Sequence, residues 1–182
     1  DVSCNAQNDG SVTVQGSGNI GFYHYVLQIF NPTFSIWQQI AQSPAAGIYT
    51  ATSAIFGMLP ADCYRVIITD SLGCSDTANF CLTEPPVIAA IAIIINASTP
   101  FSNDGSIVLN VSGGISGYTY AWAGPNLFTS TNQNINNLSA GTYNLTITDN
   151  VGCTYYTAYV VVLIKNFEPN EKAKNLVCGL FL

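Results

Sequence analysis

One sixteen-residue stretch occurs twice in this chain, and that repetition constrains the fold more than any single residue does. It reads Leu59-Pro-Ala-Asp-Cys-Tyr-Arg-Val-Ile-Ile-Thr-Asp-Ser-Leu-Gly-Cys74, then Leu138-Ser-Ala-Gly-Thr-Tyr-Asn-Leu-Thr-Ile-Thr-Asp-Asn-Val-Gly-Cys153, with eight of sixteen positions identical at an offset of 79. A second echo, Asn8-Asp-Gly-Ser11 against Asn103-Asp-Gly-Ser106, has an offset of 95, so the first copy carries sixteen more residues between its landmarks. Two copies of one strand-rich unit follow. The 182 residues are expected to divide into a first unit over 1–86, a second over 87–165 and a tail over 166–182.

The local patterns read as strands and turns. Asn8-Asp9-Gly10 is expected as a tight turn feeding the alternating Ser-Val-Thr-Val, and Gly16 to Gly21 as a second turn. Phe22 to Phe30 is a long strand, ended by Asn31-Pro32. The extra length falls in 31–58, as an added hairpin or as a loop covering an edge. Cys63 to Thr69 and Cys74 to Thr83 form a closing hairpin, and Glu84-Pro85-Pro86 marks the boundary. The second unit opens with Val87 to Ile95, which is half the length of a membrane helix and rich in isoleucine, so it reads as a buried strand. Further strands are expected over Ser106 to Val111, Tyr118 to Trp122, Thr142 to Thr148 and Thr154 to Ile164, with 126–137 mainly loop.

No stretch carries helical periodicity beyond a turn or two. The expected class is all-β, two tandem immunoglobulin-like antiparallel sandwiches. Tyr64 and Tyr143 stand either at tyrosine corners or as aromatics between sheets. Trp122 is expected in the core, and Trp37 in the core or at an interface.

The chain has four basic residues, one histidine and ten acidic residues, for a net charge of -6. So few cations argue against nucleic acid or an anionic membrane surface as partner. Six cysteines, none in a Cys-x-x-Cys pair and accompanied by one histidine, point to disulfides in an extracellular compartment and away from zinc. The chain carries no signal peptide and begins at Asp1, which reads as a mature or processed form. Catalytic chemistry finds no footing. His24 lies in a strand with no acid at short spacing, and Asp70 and Asp149 sit at equivalent turns where aspartate caps backbone donors. Asp9, Asp70 and Asp76 are too sparse for a calcium site, so neither metal nor cofactor is expected. Gly16 to Gly21 lacks the lysine and helix of a phosphate cradle.

Several of these landmarks resemble the SprB-type repeat of bacterial gliding-motility adhesins. They are Asp104 to Ile107, the Gly-Gly-x-x-x-Tyr-x-Tyr-x-Trp pattern over Gly113 to Trp122, Leu138 to Cys153, and Thr83-Glu84-Pro85. The first unit keeps Tyr23 and Tyr25 but has Leu27 at the tryptophan position. The resemblance covers about residues 1–165. It implies Ig-like sandwiches strung along secreted surface proteins of Bacteroidetes-like bacteria, with no enzyme activity. It also implies a Cys4–Cys74 bond, because repeats of that family carry cysteines at those two positions. Cys63 and Cys81 flank the closing hairpin of the first unit and are placed to bridge its strands. The counterpart of Cys4 in the second unit is Thr99, which leaves Cys153 and Cys178 unassigned, with a bond between them as one arrangement.

Covalently attached glycans are a further expectation. Asn96, Asn110, Asn137 and Asn144 head Asn-x-Ser/Thr triplets. The family's bacteria glycosylate Asp-Ser/Thr-apolar triplets, which the resemblance carries to Ser71 and Thr77.

Two functions from different classes remain open: a subunit of an extracellular filament or surface layer, and an adhesin module that binds glycans or other surface ligands. Trp37, Phe34, Phe128 and Tyr155-Tyr156 would serve either. Seven residues precede Asn8-Asp-Gly, whereas the second unit has a full strand before its own copy of that motif. The first unit is therefore expected to lack its first strand. Residues 176–182, Leu176-Val177-Cys178-Gly179-Leu180-Phe181-Leu182, are apolar and short, like the strand that follows the first unit. They either fold back on their own domain or insert into the next molecule, giving a head-to-tail homopolymer by strand donation.

Overall fold

The computed structural model describes residues 1–18, 22–43, 51–99 and 102–164. It contains thirteen strands and, among the described residues, one short 3-10 turn at Pro125–Leu127. In the first repeat these are β1 (Gly10–Gln15), β2 (Tyr23–Asn31), β3 (Ile36–Ser43), β4 (Ser53–Leu59), β5 (Cys63–Asp70) and β6 (Ser75–Cys81). The second repeat contributes β7 (Ala89–Ile95), β8 (Gly105–Ser112), β9 (Thr119–Ala123), β10 (Thr129–Ser130), β11 (Ile135–Leu138), β12 (Gly141–Thr148) and β13 (Thr154–Val161).

Each repeat is built from two antiparallel sheets. In the first, β1 pairs with β4, and the other sheet has the order β3-β2-β5-β6. In the second, the sheets are β11-β8-β7 and β10-β9-β12-β13. Period-two alternation explains why these segments are strands. On β2, Tyr23, Tyr25 and Leu27 point inward and are buried, and on β12 Tyr143, Leu145 and Ile147 do the same. The core of the first repeat joins both sheets, with Ala54, Phe56 and Leu59 of β4 packed on Tyr25, Leu27, Tyr64 and Val66. The two-layer, strand-only architecture is an Ig-like sandwich in each repeat. Among the described residues, one compact unit falls within 1–88 with the turns 113–116 and 151–153, and the other within 89–112, 117–150 and 154–164.

Tyr64 and Tyr143 are both tyrosine corners. Each ring is buried, and each hydroxyl donates to the carbonyl four residues back, Tyr64 to Pro60 at 2.8 Å and Tyr143 to Ser139 at 2.9 Å. Trp122 is a core residue whose Nε1–H donates to the Asn132 carbonyl.

The sixteen extra residues of the first repeat make no separate hairpin in the described part of 31–58. They lengthen strands instead. β2, β3 and β4 have nine, eight and seven residues where β9, β10 and β11 have five, two and four. The outer end of the long β2–β3 hairpin is held by Phe30 edge-on to Trp37, with the Arg65 guanidinium over the same indole. Residues 44–50 lie outside the described residues.

The Asn-Asp-Gly motif is not the tight turn that its sequence suggests. Gly10 is the first residue of β1, and a Cβ there would lie 2.7 Å from the Leu59 carbonyl oxygen and 2.8 Å from Leu82. Gly105 meets Leu138 and Val161 in the same way. The glycine is required by close approach of the neighbouring strand and not by a turn. Both repeats then place a bulge before the landmark leucine, at Met58 and Asn137, with φ of 57° and 56°. Asparagine tolerates the left-handed region and methionine does not.

Two stability changes follow. Tyr143→Phe keeps the buried ring but loses the corner hydrogen bond, and should lower the unfolding free energy by about 1 kcal/mol. Met58 is exposed, so Met58→Asn relieves backbone strain at no cost in packing and should raise it by roughly 0.5–1 kcal/mol. Urea unfolding midpoints at fixed slope measure both.

Candidate functional site

The site is the outer edge of β1. In the second repeat β8 is hydrogen-bonded on both sides, by β11 and by the whole of β7 from Ala89 opposite Ser112 to Ile95 opposite Ser106. Among the described residues β1, the counterpart of β8 at offset 95, pairs only with β4. The inward side chains register the difference. Ile107 and Leu109 are buried, whereas their counterparts Val12 and Val14 are half-buried against the core. Among the described residues that edge has no partner strand, and its inner face is apolar.

The segment before β1 is tied to the end of β6, with Val2 packed against Gly10. Val2 N–H donates to the Thr83 carbonyl, and Asp1 Oδ1 accepts from the Thr83 N–H and hydroxyl. Glu84 accepts from Asn5 Nδ2 and the Ala6 N–H, at 2.9 and 2.7 Å. The Thr83-Glu84-Pro85 boundary motif therefore clamps the residues before β1 as well as ending β6. Residues 165–182, with Leu176, Val177, Cys178, Leu180, Phe181 and Leu182 among them, lie outside the described residues.

Two disulfides are present among the described residues. Cys63 bonds Cys81 across the register pair that joins β5 to β6, with Cα atoms 4.0 Å apart. Cys4 bonds Cys153, with Cα atoms 5.6 Å apart. The expected Cys4–Cys74 bond is not made. The turn 151–153 packs in the same unit as Cys4, with the Ser3 carbonyl 3.4 Å from Cys153 Sγ, and Cys74 is left as an exposed thiol. The alternative Cys153–Cys178 pairing falls with the same observation.

A scaffold of the loops before β1 and β8, repeated within the chain, is not carried by any single motif. Asp9 accepts from the Ser3 N–H at 2.9 Å and from the Ser3 hydroxyl, and Asp104 accepts from the Ser98 N–H at 3.0 Å. The signal is the Ser-x5-Asp spacing, repeated at offset 95. The Ser3 hydroxyl and N–H hold the Asp9 carboxyl below its ordinary value. The hydroxyls of Ser102 and Ser98, with the Ser98 N–H, hold Asp104 far below it.

The remaining candidates are dispersed. Asp70 Oδ1 accepts from the N–H groups of Leu72 and Cys74, both at 2.9 Å, and Asp76 caps Thr77. Asp9, Asp70 and Asp76 therefore serve their own loops, and among the described residues no cluster of three metal-ligating side chains occurs. His24 lies within β2 opposite Thr69. Of the sugar acceptors, Ser71, Thr77, Asn110, Asn137 and Asn144 are exposed, while Asn96 is half-buried and accepts from the Val162 N–H. Asn137 has a backbone reason for being asparagine, the left-handed bulge. Phe34 is exposed on the β2–β3 turn, Phe128 packs on Tyr143, and one face of Trp37 is covered by Arg65. No helix among the described residues is long and apolar enough to cross a membrane.

Tandem sandwiches with tyrosine corners, disulfides and a match to the SprB repeat support an extracellular protein of the cell surface, of the adhesin and filament class. The family model described as SprB repeat matches residues 1–28 and 101–127, one segment in each repeat, so each half of the chain is similar to an SprB repeat. Comparison with curated proteins gave no match. Among solved structures, the amphioxus IgVJ-C2 molecule is 13% identical over 86% of this chain and 98% of that one, with a TM-score of 0.35. A Dscam structure described for isoform specificity is 10% identical over 86% of this chain and 42% of its own, with a TM-score of 0.33. The eight-Ig-domain DSCAM isoform 1.30.30 is 10% identical over 86% and 21%, with a TM-score of 0.36. This chain thus spans less than half of either Dscam chain, and at these scores the likenesses add nothing to what strand order and core define.

The aspartate caps give a pH dependence with a fixed sign. A carboxyl whose folded value lies below the ordinary 3.8 stabilises the fold above that value and loses the contribution as pH falls through its own lower one. The NMR shift of the Ser98 N–H should therefore titrate with a midpoint below 3.8, and Asp104→Asn should abolish that titration. A midpoint at or above the ordinary value would remove the cap from the account.

Proposed function

We propose that the chain is the repeating subunit of an extracellular filament, joined head-to-tail by strand donation. Residues 176–182 of one copy add to the open edge of β1 in the next and take the place that β7 holds beside β8. The subunit is read as two modules, 1–86 and 87–165, with the donor segment beyond them. The observation that carries this reading is the single-sided pairing of β1 against the double-sided pairing of β8.

The energetics favour an apolar strand at that edge. An added strand pairs a row of N–H and C=O groups that solvent otherwise holds, and its inward side chains cover Val12 and Val14. On β7 the half-buried positions are Ala90, Ala92 and Ile94. Laid on that seven-residue span, the donor presents Val177, Gly179 and Phe181 inward. Each large apolar side chain buried in this way contributes about 1.5–3 kcal/mol. The contact uses different surfaces on the two partners, so it propagates as an open chain of subunits.

Glycan recognition has less support. A sugar platform needs open aromatic faces converging on one site; Trp37 has one face covered by Arg65 at 4.6 Å, and the exposed Phe34 and Tyr156 lie in different repeats.

Truncation after Asn175 tests the assembly. The truncated protein should remain monomeric under conditions in which the full chain forms thin fibres by negative-stain microscopy. Fibres formed as readily without residues 176–182 would refute strand donation.

A further inference from the structure

What the second repeat lacks gathers on one face of the first. Along β5 the buried Tyr64 and Val66 point inward, so Arg65 between them points outward from the sheet β3-β2-β5-β6. The register extends its row across the sheet. Gln28 stands opposite Gln39 on one side and Arg65 on the other, and Arg65 stands opposite Asn79. Three amides and one cation thus form a line about 14 Å long, at a strand spacing of about 4.8 Å. The same row in the second repeat is Ala123, Asn144 and Ala158, with no charge. The neighbouring row of the first repeat holds Phe30 beside Trp37 and the Cys63–Cys81 bridge, which have no counterparts either.

Arg65 is the one Lys or Arg side chain among the described residues, and it is half-buried. Its guanidinium carbon lies 4.6 Å from the centroid of the Trp37 ring, and its Nε–H donates to Gln28 Oε1. Among the described residues it makes no ion pair, although the chain has ten acidic residues. The indole and the Gln28 amide therefore hold the fork in place while its other N–H groups await an acceptor. Gln39 is fixed as well, its Nε2 donating to Gln42 Oε1 at 2.9 Å.

We infer that this face binds a carboxylated polysaccharide, with Arg65 holding a uronate carboxylate and the amides of Gln28, Gln39 and Asn79 meeting ring hydroxyls. A planar guanidinium matches a carboxylate with two parallel N–H···O bonds, and an amide both donates and accepts, as a sugar hydroxyl does. One cation among neutral amides suits a polymer that carries one carboxylate among several hydroxyls. An acidic peptide is read by a cluster of arginines or by addition to a sheet edge, whereas this row has one arginine and crosses the sheet. Recognition runs through charge and amides, so the covered face of Trp37 supports the site and is not a lost stacking surface. The assembly edge is on β1, in the other sheet, so the inference stands apart from strand donation.

Isothermal titration of the full-length protein with tetragalacturonate tests the site, with maltotetraose as the uncharged comparison and tetraglutamate as the peptide. Tetragalacturonate should bind and the other two should not. Arg65→Gln should weaken binding about ten- to a hundredfold, as loss of a charge-assisted pair does. Arg65 also covers the indole, so a second variant leaves it in place. Asn79→Glu sets a carboxylate opposite Arg65 on the surface and should abolish binding while the urea midpoint stays that of the parent. Equal binding of maltotetraose, or an affinity unchanged in both variants, would overturn the carboxylate site. Tetraglutamate binding as tightly as the sugar would overturn the polysaccharide assignment in favour of an acidic peptide. Absence of binding at millimolar tetragalacturonate would overturn the inference as a whole, whether or not the protein forms fibres.

Discussion

Both repeats depend on the backbone ladder along one strand, β8 in the second and β1 in the first. A strand that lends side chains to a core needs hydrogen-bond partners on both edges or water on one of them. In the second repeat β7 and β11 supply both, and Ile107 and Leu109 are sealed. In the first, β4 supplies one, and Val12 and Val14 stay half-covered. The same sequence unit thus occurs in a completed form and in a form with one described neighbour fewer. The difference is local, because β2, β5 and β6 match β9, β12 and β13 in order.

What repeats and what does not repeat separate framework from specialisation. The tyrosine corners, the Ser-x5-Asp caps, the glycines at the start of β1 and β8 and the bulges at Met58 and Asn137 recur in register. They are the parts a sandwich needs in order to close. The cysteines do not recur as pairs: Cys63 and Cys81 have no counterparts, and Cys4 is bonded to the second repeat's cysteine instead of to Cys74. The long β2–β3 hairpin with its Phe30, Trp37 and Arg65 stack is likewise confined to the first repeat.

Strand identity was legible because alternation is a local property, and the twice-written Tyr-x-apolar-x-Ile-Thr-Asp run placed β5 and β12 together with their corners. Three things were not legible. The role of Gly10 depends on the Leu59 carbonyl, which is distant in sequence, so Asn-Asp-Gly looked like a turn. The extra length in 31–58 left open whether it added a hairpin or stretched existing strands, since strand length is set by the partner strand. The partner of Cys4 is decided by which turn packs beside Ser3, and cysteine spacing within one repeat carries no information about that. The open edge of β1 was visible only because the other repeat served as its reference.

The way each repeat is tied at its two ends bears on how it carries load. Ala97 and Leu163 form a parallel bridge, with the Ala97 N–H on the Val162 carbonyl and the Ile164 N–H on the Ala97 carbonyl, and Val2 on Thr83 repeats the first of these contacts. Tension drawn along the chain pulls the two members of such a parallel contact in opposite directions along their own lengths. The bonds then share the force and give way together, whereas bonds at the end of a peeled strand fail one at a time. A thread made of these modules would resist stretching at the first and last contacts of each bead, and the Cys63–Cys81 bridge would shorten the length that a failed bead could release.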